Sequence, residues 1–136
     1  MKEEFSYIVD QFADLQILRY QVPGFENLSL RQKQLLYHLS EAALMGRDIL
    51  FDQNGRYNLV IRRTLETVYQ YGTVEKSSVD YQAFEVYLKR VWFANGIHHH
   101  YGEYKFIPGF SEAFFDAAVR SVDVSLLTLK AGETVD

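Results

Sequence analysis

The sequence predicts an all-α protein of about five amphipathic helices, and three observations carry that reading. Apolar residues recur at three-and-four spacing along most of the chain, cap-type residues stand where such runs begin, and strand-type alternation is nowhere sustained. One long segment, 97–110, interrupts the periodicity and reads as an ordered loop rich in aromatic and histidine residues. Neither an internal repeat nor a low-complexity tract is present.

Taken in order, Phe5, Ile8, Val9, Phe12, Leu15 and Leu18 share one helix face, so the first helix is expected from Phe5 to just before Pro23-Gly24. Ser29 followed by Gln32 has capping-box spacing. Leu35, Leu36, Leu39, Ala42, Ala43 and Leu44 then define a second helix, which runs past Gly46 to about Phe51. Asp52-Gln53-Asn54-Gly55 has turn chemistry, because Asn and Gly tolerate left-handed backbone.

A third helix follows on Tyr57, Val60, Ile61, Leu65 and Val68, closing near Gly72. Ser77-Ser78 caps a fourth, whose buried side takes Tyr81, Phe84, Tyr87, Leu88, Val91 and Trp92, with Asn95-Gly96 as its stop. Ser111 caps a fifth, facing inward with Phe114, Phe115, Ala118 and Val119. The whole chain, 1–136, is expected to be a single helical segment whose last part, 123–136, looks like a truncated tail.

Composition narrows the function classes. The 136 residues are 48% hydrophobic and 15% aromatic, with ten Tyr and ten Phe, which marks a folding sequence of about one domain. A net charge of -4 with both signs interspersed leaves no basic footprint, so neither nucleic acid nor an anionic membrane is an expected partner. The absence of cysteine removes disulfides, thiolate zinc sites and a cysteine nucleophile. No apolar run approaches the ~20 residues of a membrane-spanning helix, and Met1-Lys2-Glu3-Glu4 lacks a signal-peptide layout. The expected location is the cytoplasm, or the periplasm if a signal segment has been removed.

Few residues group into chemistry. His98-His99-His100 suggests a metal site, but adjacent residues of an extended loop point in alternating directions and at most two could reach one ion; loop packing and ligand contact are the other readings. Glu41, Asp48, Glu66 and Glu85 fall on solvent faces of helices, and nothing in the spacing joins Asp14, Glu103 and Asp116. Tyr57, Tyr69, Tyr71, Tyr81 and Tyr87 have the positions of rings at a core margin. The loop aromatics Tyr101, Tyr104, Phe106 and Phe110, stiffened by Pro108 and next to Gly102, suit either an apolar groove or the anchoring of the loop itself.

The run from Val91 through Trp92, Asn95-Gly96, His98-His99-His100-Tyr101-Gly102-Glu103-Tyr104-Lys105-Phe106 to Pro108 resembles the amino-terminal region of the dipeptidyl peptidase III family. Family members carry here a helix end, a glycine, an aromatic followed by glycine and an acid, then Lys-Phe, an aliphatic residue and proline. The stretch from Phe5 through Pro23-Gly24-Phe25 to Phe84-Glu85-Val86-Tyr87 is similar to bacterial members, whereas eukaryotic ones have Asn-Tyr where this chain has Ile97-His98.

The resemblance implies a two-lobed zinc exopeptidase that releases dipeptides from peptide amino termini. Its zinc is held by two histidines of a His-Glu-x-x-Gly-His helix and a downstream glutamate, with the motif's own glutamate as general base. That motif is absent from this sequence. The resemblance therefore assigns this chain no catalytic residue and no bound zinc, and makes it the helical part of the lower lobe and one wall of the cleft. The substrate-facing residues it implies are His100, Tyr101, Gly102, Tyr104 and Phe106, and the partners are a peptide substrate and the remainder of the parent chain. The rival reading is a freestanding helical protein-interaction module. In isolation, self-association through exposed apolar faces is expected.

Overall fold

In a computed structural model that describes residues 5–129 and Thr134, the protein is rich in helix but also carries a small two-stranded sheet. Its described residues group into two compact units, one within 1–47 and the other within 48–136.

The first unit opens on a β-hairpin where the sequence predicts a helix. Strand β1 (Ile8–Phe12) pairs antiparallel with β2 (Leu15–Leu18) in the register Ile8↔Leu18, Asp10↔Ile17, Gln11↔Gln16 and Phe12↔Leu15. The register shift between Ile8 and Asp10 and the tight turn together give this hairpin a helix-like apolar spacing. A bulge at Val9 adds one residue to β1, and the two-residue turn sets Phe12 opposite Leu15, so apolar residues of two strands fall at the 8, 9, 12, 15 spacing of a helix face. Ala13 and Asp14 make the turn, with Ala13 at φ 49°. Arg19 closes the open end, donating from Nε to the Ser6 carbonyl at 2.8 Å and lying 4.7 Å from the centre of the Phe5 ring.

After a 3-10 turn at Phe25–Asn27 comes α1 (Leu30–Met45). The Ser29/Gln32 capping box forms as its spacing predicts: the Gln32 N–H donates to Ser29 Oγ, and the Ser29 N–H donates to Gln32 Oε1 at 2.9 Å. Leu35 and Leu39 of this helix are exposed. Gly46 interrupts the helix, so the expected run to Phe51 is split, and α2 (Arg47–Gln53) places Phe51 in the core of the second unit.

The second unit is built on α3 (Asn58–Tyr71), α4 (Val79–Ala94) and α5 (Glu112–Arg120). Its core includes Phe84, Leu65, Leu88, Val68, Val91, Phe51 and Ala118, all but inaccessible. Ser78 and Ser111 cap α4 and α5 through Oγ, as the sequence predicts. Asp80 joins the two starts, accepting the N–H and the hydroxyl of Ser111 at 2.9 and 3.1 Å. One inward assignment is corrected: Trp92 is 39% exposed, and Ala94 takes the buried place. Its indole N–H finds a partner at the rim, donating to Glu66 Oε1 at 2.8 Å.

Of the expected tail, Val124–Leu126 form a 3-10 turn capped by the Asp123 carboxylate. The remainder of 123–136, apart from residues 127–129 and Thr134, lies outside the described residues, as do Met1 to Glu4.

Candidate functional site

The segment after α4 is a short hairpin held at its base by asparagines. Asn95 ends the helix in left-handed backbone, at φ 55°, and the Gly96 N–H returns to the Val91 carbonyl at 3.1 Å. Asn54 Nδ2 donates to the Asn95 carbonyl at 3.2 Å, and Asn58 Oδ1 accepts the Ile97 N–H at 3.2 Å. Asn58 is 2% exposed, and a Cβ added at Gly96 would overlap its side-chain amide. Gly96 therefore serves two needs, an unusual φ of 154° and room for Asn58.

From there Phe106 N–H bonds the Ile97 carbonyl at 2.8 Å and His99 N–H bonds the Tyr104 carbonyl at 3.0 Å, with His98 bridged to Lys105. The Gly102 N–H closes a turn onto the His99 carbonyl at 3.1 Å. Rings stack on this frame. His99 lies 4.7 Å from Tyr104 at an interplanar angle of 23°, and 4.3 Å from His100 at 30°. His99 Nδ1 accepts the Tyr101 N–H at 3.2 Å, and Phe93 meets His100 edge-on at 4.9 Å.

Beside the turn is an open concavity of about 520 Å³, lined by His98, His99, His100, Gly102 and Glu103 from the loop, by Asn54 from the turn after α2, and by Asn58 and Phe93 from α3 and α4. Of the residues expected to face substrate, His100 and Gly102 line it. Tyr101 is 91% exposed at the tip, and Tyr104 is exposed with one face against His99. Phe106 is different: at 9% exposure it belongs to the core, with the Arg90 guanidinium 5.4 Å from its ring centre, so it anchors the loop rather than lining a groove. Phe110 likewise packs inward against Phe84 and Tyr87. Burial pushes the Tyr87 hydroxyl above its ordinary pKa.

Sequence reading missed Asn54, Asn58 and Phe93. The two Asn-Gly pairs were the available signal; each has the chemistry of a break, and only the fold brings the two breaks together. Glu103, which no spacing joined to anything, reaches the concavity, while Asp14 sits in the β-hairpin turn and Asp116 on α5.

The acidic helix residues also take particular roles. Asp48 receives Arg62 Nη2 at 2.8 Å and Arg63 Nη2 at 2.7 Å, and these two guanidiniums, Arg63 first, hold its carboxyl below the usual pKa. Arg62 Nε lies 3.3 Å from Glu66 Oε1, within ion-pair range but off line for a hydrogen bond. Glu85 stands one turn from Lys89 at 3.8 Å.

Zinc does not fit the described residues. Among the described residues no three His, Cys, Asp or Glu side chains converge on a point that could hold a metal, and His99 and His100 turn their ring faces toward each other. No helix of the described residues is long and apolar enough to cross a membrane. No protein-family model matches the chain, and no curated protein matches it.

Proposed function

We propose that this chain is the non-catalytic amino-terminal part of a two-lobed zinc dipeptidyl peptidase of the dipeptidyl peptidase III type. In this reading the 97–110 hairpin is one wall of its peptide cleft. The observation that carries it is the state of Tyr101. An aromatic ring left almost entirely in solvent, on a turn fixed by backbone hydrogen bonds and stacked imidazoles, is a rigid surface that loses little conformational entropy when a ligand covers it. The concavity next to it offers Glu103 and the imidazole edges as polar contacts.

Zinc, the water-activating glutamate and catalysis then belong to residues beyond this sequence, and the chain contributes binding and orientation only. Supplied with zinc and a chromogenic dipeptide substrate, the isolated chain should show no turnover; robust turnover would overturn the assignment. The cytoplasm remains the proposed location, with the periplasm as the alternative for an exported parent.

The alternative, a freestanding helical interaction module, is favoured by one observation: α1 leaves Leu35 and Leu39 exposed one turn apart. The natural reading frame separates the two. A continuation containing His-Glu-x-x-Gly-His supports the peptidase, and a stop codon soon after Asp136 supports the module.

A further inference from the structure

Two Asn-Gly pairs, 54–55 and 95–96, meet at the base of the hairpin in opposite chemical states. An asparagine followed by glycine is prone to a self-reaction. The glycine nitrogen attacks the asparagine Cγ, a five-membered succinimide closes as the Cγ–Nδ2 bond breaks, and ammonia leaves carrying the glycine proton. One solvent water then opens the ring at either carbonyl, giving aspartate or isoaspartate. Glycine favours this because no Cβ hinders the approach of its nitrogen.

At 95–96 the attacking nitrogen is occupied. The Gly96 N–H is bonded to the Val91 carbonyl at 3.1 Å, Gly96 is buried, and its backbone is held by the α4 cap. At 54–55 the opposite holds: Asn54 is exposed, Gly55 is half-buried, and among the described residues the Gly55 N–H donates no hydrogen bond. What Asn54 does possess is structural use, since its Nδ2 donates to the Asn95 carbonyl at 3.2 Å. Conversion to a carboxylate removes that donor and sets anionic oxygens against a carbonyl oxygen, and the isoaspartate product also lengthens the main chain just before Asn58.

We propose that Asn54 is a spontaneous deamidation site, and that its conversion releases the Asn95 carbonyl and loosens the 97–110 hairpin.

Trypsin separates the two sites into peptides 48–56 and 91–105, so one digest of aged protein reads both by mass spectrometry. In the folded chain Asn54 should convert at least about tenfold faster than Asn95, the ratio that goes with ~1.4 kcal/mol of extra barrier. In denaturant the two rates should converge, which shows that the fold sets the difference. Equal rates in the folded chain, a faster Asn95, or an Asn54 that converts only in denaturant would overturn the assignment. For the second half, Asn54→Asp should speed hydrogen exchange of the Gly96, Ile97 and Phe106 amides while leaving the middle of α4 unchanged. Unchanged exchange at those three amides would sink the coupling to the hairpin.

Discussion

Asn58 Oδ1 accepts the backbone N–H of Ile97 at 3.2 Å, and this single bond ties the first turn of α3 to the first residue of the histidine-rich hairpin. Its other side-chain atom, Nδ2, is buried without a hydrogen-bond partner among the described residues, so the residue is held by fit as much as by bonding. Asn58→Ala should cost about 1–3 kcal/mol by leaving the Ile97 N–H unpaired. Gly96→Ala should cost a similar amount, about 1–3 kcal/mol, by forcing a methyl into the space of Asn58. Because the two penalties share one contact, the double variant should be less destabilised than the sum. Denaturant titration of the four proteins checks this, and additivity would refute the shared contact.

Asp48 supplies the pH-dependent element. Its carboxyl is held low by Arg63 and Arg62, so ionisation is favoured in the folded chain. The stabilisation is fully present above the unfolded-state pKa of ~3.9 and is lost as pH falls through the lower folded value. With its side chain 44% exposed, Asp48→Asn should cost no more than ~1 kcal/mol near neutrality. That difference should vanish in strong acid and shrink in high salt. Thermal midpoints of the two proteins at neutral and acid pH test it; a difference that persists in acid would exclude the charge as its cause.

At the other end of the chain, Ala13 holds φ 49° at the first of two turn residues, a place where glycine carries no steric penalty. Ala13→Gly should stabilise the hairpin by up to about 1 kcal/mol, since left-handed backbone costs an L-residue about 1–2 kcal/mol and glycine returns part of that as extra entropy when unfolded. Amide exchange of β1 and β2 reads the effect locally. Faster exchange in the variant would contradict the strain.

The exposed leucines of α1 predict that the isolated chain self-associates. Light scattering should give a mass that rises with concentration, and replacing Leu35 and Leu39 by lysine should lower it. A monodisperse monomer at all concentrations would count against the prediction.

How far the fold can be read from sequence depends on how local its causes are. Ser29, Ser78, Ser111 and the stop at Asn95-Gly96 act within a few residues, and all four fall where their chemistry puts them. The β-hairpin fails that test, because a bulge at Val9 and a positive φ at Ala13 leave no sequence mark that separates them from a helix face and an ordinary alanine. Period alone puts Trp92 inward, whereas its hydrogen-bond partner at the rim, Glu66, is 26 residues away. The same holds for the site. Tyr101 and Gly102 were visible as a motif, while Asn58 enters only once α3 and the hairpin are brought together, and Phe106 was visible without its direction.

Steady-state kinetics of the proposed full-length peptidase carrying Tyr101→Ala tests most directly the proposed place of Tyr101 on a peptide-binding wall. KM for a short peptide should rise about tenfold, near 1.4 kcal/mol of lost binding. The thermal midpoint should not move, because the ring buries almost nothing in the fold. Unchanged kinetic constants, or a loss of activity matched by a loss of stability, would overturn that role for Tyr101.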